Sequence, residues 1–424
     1  MRFLVVGDSD SYIKWGAALA STLGPEWQKQ LVVLASPVKP SPAQLEAALA
    51  ATDFCSADAR EVPLAELQQL IEQERPDVVL AALRGPVVRV VARAVRGVLG
   101  HRPVLLSGLP GITIPAARKA VTYRSHVDMV VLHSRREVRE FSALAAEMGS
   151  TQRFGLATLP FIPADAHPAG PAASGSAPAG SAPSGSAPSG TDVIFASQAI
   201  VPREREDRLL LLGWLAELAR RGPERRVVVK VRAVGGEAQT HAETYDFAEL
   251  MRELDPPAPS NLVVEGGPMG QHLARAGALV TVSSTAAIEA VAAGIPVLLP
   301  NDFGVSPHLI NVVFEGSGLF GDSEQLMAGE FHQAAPEWCD DNYLHGREHD
   351  SWVGMLDELV AANARATLPW RMARETVVGG GLRRAWDRRK ALGTYDHSIS
   401  GSLAWLVGVP LRAVVRRLRR IRAS

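Results

Sequence analysis

The hydroxyl-rich stretch Ser283-Ser284-Thr285 has the residue types and spacing to hold a phosphate. It follows a continuous apolar run at residues 278–282, which predicts a buried strand, and it precedes a helical pattern. Hydroxyls and unpaired backbone N–H groups at a helix start favour anions. Glu289 lies one helical turn after Thr285 on the same face, where its carboxylate can accept ribose hydroxyls. The pattern predicts a nucleotide site, and an ordinary helix cap is the alternative.

Polar residues after two other predicted strands are candidates for a catalytic base. Asp8 and Asp10 follow the strand at residues 2–6, and His133 ends the strand at residues 129–132. A reaction in which a hydroxyl attacks needs a carboxylate or histidine near that hydroxyl to take its proton. One of the two aspartates also suits capping of the next helix, and a buried structural role is the alternative for His133.

Apolar runs of strand length alternate with helical patterns in two series. Such alternation predicts parallel sheets covered by helices on both faces. The predicted strands are 2–6, 31–34, 77–82, 103–106 and 129–132, then 192–196, 226–231, 261–264, 278–282 and 296–299. The predicted helices are 64–74 and 87–99, then 209–220, 247–254, 269–276, 286–293, 350–366 and 368–376. The fold class is therefore α/β, with two Rossmann-like, doubly wound domains and a ligand site in the cleft between them.

A low-complexity segment separates the two series. Residues 175–190 repeat with a five-residue period of Gly, Ser, Ala and Pro and have almost no apolar bulk, which is typical of a tether. We therefore divide the chain into a first domain at residues 1–163, a linker at 164–191, a second domain at 192–370 and a basic tail at 371–424.

The tail carries most of the charge asymmetry of the chain. The net charge is −1, but residues 371–424 hold 13 Lys and Arg against 3 Asp and Glu. Residues 403–422 form a pattern with Leu, Val and Ile on one helical face and Arg mostly on the other. This pattern predicts an amphipathic helix on an anionic membrane surface, and packing against the protein is the alternative. The acidic remainder argues against general nucleic-acid binding.

Composition indicates a globular protein of a reducing compartment. The 424 residues are 47% hydrophobic and 21% charged, enough for two cores. Cys55 and Cys339 form neither a disulfide framework nor a metal-binding spacing. The apolar run at the N-terminus is too short for a signal peptide, so we expect a cytoplasmic protein.

This organisation resembles the GT-B glycosyltransferases. The resemblance is nearest to actinobacterial glycosyltransferases, and more distant to capsule sialyl and Kdo transferases and to teichoic acid glycerophosphotransferases. UDP-sugar 2-epimerases are similar at this level too. The residues that carry the resemblance are Ser283, Ser284, Thr285, Glu289, Gly294 and Pro296, with residues 8–11 after the first strand.

The resemblance implies that the second domain binds a nucleotide-sugar donor, without a metal or other cofactor. Ser283, Ser284 and Thr285 would bind the phosphate and Glu289 the ribose. The backbone at Gly266 and Gly267 would approach the base or ribose, although a plain turn is the alternative.

Some sialyltransferase-like relatives carry a His-Pro pair after a strand of the second domain. This sequence has Lys230-Val231-Arg232 at the corresponding place. Its departure from the family pattern argues against a sialyl-type mechanism and a CMP-activated donor. Lys230 or Arg232 can instead neutralise the leaving phosphate, and a solvated strand end is the alternative.

The resemblance implies transfer of a sugar to a glycan or lipid-linked acceptor, in synthesis of cell-envelope polysaccharide at the inner membrane face. A nucleotide-sugar 2-epimerase on the same fold is the first alternative. A non-catalytic protein that binds nucleotide sugars or membranes is the second.

Overall fold

The first domain is built on one parallel sheet. The computed structural model describes residues 1–160, 162, 190–198, 201–231, 245–371 and 380–421. The strands of the first domain's sheet are β1 (Arg2–Gly7), β2 (Gln28–Leu34), β3 (Arg60–Val62), β4 (Val78–Ala82), β5 (Val104–Gly108), β6 (Met129–Leu132) and β7 (Arg153–Leu156). They pair in the order β3-β2-β1-β4-β5-β6-β7, all parallel.

Helices cover both faces of this sheet. They are α1 (Asp10–Ser21), α2 (Pro42–Leu49), α3 (Leu64–Glu74), α4 (Gly85–Arg96), α5 (Arg118–Tyr123) and α6 (Arg135–Glu147). Successive residues of β1 point to opposite faces, so Phe3 and Val5 pack under α1 and α2, whereas Leu4 and Val6 pack under α3 and α4. Burial on both faces explains why these strands are continuous apolar runs.

The second domain repeats this architecture. Its strands are β8 (Asp192–Ala196), β9 (Val227–Lys230), β10 (Leu262–Glu265), β11 (Ala276–Val280), β12 (Val297–Pro300) and β13 (Phe320–Gly321). They pair in parallel in the order β10-β9-β8-β11-β12-β13. The helices are α7 (Arg205–Arg221), α8 (Phe247–Met251), α9 (Met269–Leu273), α10 (Ala286–Ala292), α11 (Ser323–Ala328) and α12 (Pro336–Asp341). The predicted α/β class with two doubly wound domains is confirmed.

The chain then returns to the first domain through α13 (Trp352–Ala364), α14 (Gly380–Leu392) and α15 (Ile399–Ile421). Trp352 and Leu356 pack in the same cluster as Phe3 of β1, and Leu392 packs in the cluster on the other face of the first sheet. The predicted boundary at residue 370 therefore does not separate the two cores, because α13 completes the first domain after the second has been built.

Short edge strands and the tail are where expectation and structure differ most. β3, β7 and β13 were absent from the predicted set because they have only two to four residues and include polar or glycine positions. Of the helix expected at residues 368–376, the part up to Arg371 is not helical and the rest lies outside the described residues. Most of the predicted linker also lies outside them. Among the helices that the structure describes, none combines the length and apolar character that a membrane span requires.

Candidate functional site

The carboxyl ends of the two sheets contain the positions where ligands bind in this type of fold. Strand order reverses between β1 and β4 in the first sheet, and between β8 and β11 in the second. Such switch points leave a crevice at the strand ends. The two crevices approach each other, since a Cβ added to Gly111, in the loop after β5, would lie 3.6 Å from Cγ2 of Thr285 before α10. Loops from both domains thus border one cleft.

Asp8 closes the switch point of the first sheet. Its side chain has no exposed surface, and its Oδ2 lies 2.8 Å from Nε of Arg84, which follows β4. The backbone N–H of Arg84 donates to Oδ1 at 3.1 Å. Burial raises the pKa of Asp8, and the ion pair with Arg84 opposes this rise. In this conformation both carboxylate oxygens of Asp8 are bonded to Arg84.

Asp10 and Lys14 lie one turn apart at the start of α1. Asp10 is the first residue of the helix, is half-buried, and accepts a hydrogen bond from the Ser11 hydroxyl at 3.2 Å. The N-cap residue is Ser9, whose side chain makes no capping hydrogen bond, so neither predicted aspartate caps α1. Lys14 is exposed, and its charge lowers the pKa of the Glu289 carboxyl in the second domain.

His133 is buried directly after β6, at the carboxyl end of the first sheet. The Trp15 indole N–H donates to its Nε2 at 2.6 Å, and its Nδ1–H donates to the Ala157 carbonyl at 2.9 Å. Burial lowers the pKa of His133 to about 4, so the ring is neutral at physiological pH. With both nitrogens bonded inside the protein, the ring offers no atom to a substrate in this conformation.

The loop from β11 to α10 is held by its own hydroxyl groups. Thr281 Oγ1 donates to the Ala196 carbonyl at 2.9 Å and accepts from the Ser284 backbone N–H at 3.1 Å. Ser283 is buried and donates to the carbonyl of Ile310 at 2.7 Å. These bonds tie the loop to β8 and to the chain after β12, so they serve to shape it.

Two hydroxyls remain nearer the cleft. Ser284 Oγ accepts from the Ala286 backbone N–H at 3.2 Å. Thr285 is half-buried, and its hydroxyl and backbone N–H have no hydrogen-bond partner within the described ranges. Of the three predicted phosphate-binding residues, Thr285 therefore has the most donor capacity left for a ligand.

Glu289 lies among positive charges from both domains. It is half-buried on α10, and burial raises the pKa of its carboxyl, whereas the charges of Lys14 and Lys230 lower it. Lys230 is buried at the end of β9, which pairs with β8, one of the two strands at the switch point. Lys14 was not among the residues singled out in the sequence; its place one turn after Asp10 on α1 was the available signal. Arg232 lies outside the described residues.

The predicted glycine turn lies farther out, after the edge strand β10. Gly267 has a φ of 99°, a conformation that glycine adopts without strain. The carbonyl of Gly266 accepts from Nε2–H of the buried His272 at 2.8 Å. This turn is thus fixed by α9, and two strands separate it from β11.

A buried carboxylate joins the two domains beside the cleft loop. Oε1 of Glu137 on α6 accepts from the Thr113 N–H at 3.1 Å, the Thr113 hydroxyl at 2.6 Å and the Tyr343 hydroxyl at 2.6 Å. Its Oε2 accepts from the His133 N–H at 3.0 Å. Tyr343 packs in the second domain's core, whereas Thr113 lies just past Gly111 in the cleft loop. Nothing in the sequence pattern indicated this cluster.

No group of three or more His, Cys, Asp or Glu side chains that could hold a metal ion is found among the described residues. The described side chains and backbone groups that border the cleft are hydroxyl and N–H donors, two lysines and partly shielded carboxylates.

Two facing, doubly wound domains with a returning C-terminal helix define the GT-B class of fold. The S. aureus MnaA–UDP co-structure is similar to this chain at 9% sequence identity and a TM-score of 0.53, covering 86% of this chain and 97% of that one. A Listeria monocytogenes structure described as a putative UDP-N-acetylglucosamine 2-epimerase is similar at 12% identity and a TM-score of 0.51, covering 89% and 99%. These likenesses support the fold alone.

The family is shown by sequence. Residues 3–359 match the family described as "Putative glycosyltransferase (DUF6716)", and the chain belongs to that family. No curated protein matches the chain.

Proposed function

We propose that this protein transfers a sugar from a nucleotide donor to a glycan or lipid-linked acceptor, in cell-envelope polysaccharide synthesis at the inner membrane face. The observation that carries the proposal is the convergence of Thr285, Glu289, Lys14 and Lys230 on one cleft. Membership of a glycosyltransferase family supports the same reaction class.

In the proposed donor complex, the diphosphate lies against the start of α10. Thr285 donates its hydroxyl and backbone N–H to a phosphate oxygen, and the ammonium groups of Lys14 and Lys230 neutralise charge as the diphosphate leaves. Glu289 accepts the ribose hydroxyls. Ser283 contributes by shaping the loop, because its hydroxyl already donates to the Ile310 carbonyl. The Ser284 hydroxyl accepts from the Ala286 N–H, and its own proton is left for a phosphate oxygen.

Asp10 is the proposed catalytic base. Among the three sequence candidates, Asp8 is paired with Arg84 and His133 is bonded at both ring nitrogens. Asp10 is the one that is partly exposed at the cleft end of α1. It would take the proton of the acceptor hydroxyl as that oxygen attacks the anomeric carbon. We expect transfer to persist in EDTA, because donors and lysines supply the charge stabilisation in this scheme.

Donor binding can be tested by isothermal titration calorimetry with UDP, GDP, CDP, CMP and dTDP. UDP comes first, since the similar MnaA structure contains it. We expect Thr285→Val and Lys14→Met each to weaken binding by roughly tenfold, the loss of one hydrogen bond to a charged group. Ser41→Ala removes a helix cap on α2, and Lys390→Met removes an exposed lysine on α14; both should bind like wild type. Equal affinity of all five proteins would refute this donor site.

The reaction is then identified from its products. Incubation with membrane extract and sugar derivatives of the nucleotide that binds should give free nucleotide and a glycosylated acceptor, and Asp10→Asn should abolish this transfer. Conversion of a UDP-sugar to its C2 epimer without nucleotide release would establish the alternative suggested by the epimerase-like fold. Binding without turnover in either assay would favour a non-catalytic protein.

A further inference from the structure

The helical hairpin formed by α14 and α15 has a fixed geometry. The rings of Trp386 on α14 and Trp405 on α15 stack with centroids 4.9 Å apart and planes 21° apart. A Cβ added to Gly408 would lie 2.3 Å from the Trp386 ring, so glycine allows the two helices to approach. Ala404 is buried on the same side of α15. These contacts determine which side of α15 faces the protein.

The hairpin is attached to the body of the first domain. Leu392, at the end of α14, is buried in the core cluster that covers one face of the first sheet. Asp387 of α14 lies 3.7 Å from Arg89 of α4. The hairpin therefore holds α15 at a defined place on the surface, with its opposite side directed outward.

That opposite side, here called the outer face, is apolar and exposed. It consists of Ile399, Leu403, Leu406 and Val407, whose exposed fractions are 80%, 54%, 72% and 60%. Their spacing of three and four residues places them on one stripe of the helix. Four large aliphatic side chains exposed side by side are unusual on a soluble surface and indicate an interaction site.

The residues that follow the outer face in the sequence indicate which kind of partner covers it. The helix runs on to Ile421, and its last twelve residues contain five arginines and no acidic residue. A second copy of this chain docked on the outer face would leave these arginines without anionic partners, since the segment itself contains no acidic residue. An anionic lipid surface would instead neutralise them while its acyl region accepts the aliphatic side chains.

We propose that the outer face of α15 docks on an anionic lipid bilayer, with the helix lying in the plane of the interface. The aliphatic side chains enter the headgroup boundary, and the positive charge of the segment that follows is attracted to the anionic surface. This docking does not depend on glycosyl transfer, and it would hold the cleft of a non-catalytic protein near a membrane equally well.

Vesicle co-sedimentation of the full chain tests the proposal. The wild type should bind vesicles of phosphatidylcholine mixed with phosphatidylglycerol, bind pure phosphatidylcholine weakly, and release as salt is raised. The double variant L406E/V407E should bind at least about tenfold more weakly, because two acids replace exposed apolar groups that would enter a negatively charged lipid surface. The matched control is L99E, at an 85% exposed leucine on the first domain, which should bind like wild type.

Several results would overturn the proposal. One is equal binding of wild type and L406E/V407E to anionic vesicles, with circular dichroism showing both folded. Another is absence of wild-type binding to those vesicles. A third is dimerisation of the wild type in analytical ultracentrifugation that L406E/V407E abolishes, which would assign the outer face to a second copy.

Discussion

The buried Glu137 cluster leads to a quantitative prediction for Tyr343→Phe. The Tyr343 hydroxyl donates to Oε1 of Glu137 at 2.6 Å, and both side chains are fully buried. A hydrogen bond to a charged group contributes about 1.5–3 kcal/mol when its partner is left in place. Phenylalanine keeps the ring and its packing, so the variant isolates this one bond. We expect Tyr343→Phe to lower the free energy of unfolding by about 2 kcal/mol.

Tyr123→Phe is the matched control. The Tyr123 ring packs over Arg89, but its hydroxyl has no hydrogen-bond partner in the described part of the chain. Removing that hydroxyl should change stability by less than about 0.5 kcal/mol. Urea unfolding followed by tryptophan fluorescence gives both values. Because Tyr343 and Glu137 belong to different domains, the loss should appear in the first unfolding transition, in which the domain contact opens.

Hydrogen exchange adds a readout that general destabilisation would not give. Thr113 shares the same carboxylate oxygen, so weakening the cluster should increase exchange in the cleft loop at residues 109–116 more than in β1. If Tyr343→Phe proves as stable as Tyr123→Phe, the bond does not hold the domains together. If stability falls but the cleft loop keeps its protection, Glu137 stabilises the fold without positioning the loop.

Two further predictions concern buried ionisable groups. Arg84→Met should lower the free energy of unfolding by about 3 kcal/mol at neutral pH, because it leaves the Asp8 carboxylate buried without its cation. Urea unfolding should show a smaller loss in mild acid, where Asp8 can take a proton. The His133 ring should remain neutral until about pH 4 in an NMR titration, whereas the unfolded ring protonates near pH 6.5. His133 therefore costs the protein roughly 3 kcal/mol of stability as the pH falls through that window, and protonation of the folded ring near pH 6.5 would contradict its assigned environment.

Much of the fold could be predicted from apolar patterning alone. Strands Met129–Leu132 and Asp192–Ala196 and helix Leu64–Glu74 match the predicted bounds, because strands buried on both faces and helices with one apolar stripe have distinct periods. The short edge strand Arg60–Val62 was missed, since an edge position needs no continuous apolar run. The packing of Trp352 in the core of the first domain was missed as well. The local sequence of a helix does not show whether it packs on the domain that precedes it or on the other domain.

The sequence indicated which residues lie at the strand ends, but not which of their side chains are already hydrogen-bonded or paired within the protein. Asp8 was placed correctly at the end of the first strand, but Arg84, its partner, lies 76 residues away in the chain. Trp15, which donates to His133, is separated from it by 118 residues. Spacing in the sequence reports which residues reach a strand end. It does not report which of their donors and acceptors tertiary contacts have already used.

The polar residues of the cleft fall into two layers, according to whether their side chains are already bonded within the protein. The inner layer follows the strands directly and is bonded within the protein; it consists of Asp8, His133, Thr281 and Ser283. The outer layer lies at the start of the helix that follows each strand, from the N-cap to the second turn, and is partly exposed; it consists of Asp10, Lys14, Thr285 and Glu289. A group that must bind a ligand in one orientation needs a rigid support, and the hydrogen bonds of the inner layer supply it by closing the strand ends. Stability and binding should therefore depend on different residues of the same loops. The residues at the start of the helix that follows a strand, rather than those directly at the strand end, are the better candidates for chemistry in this fold.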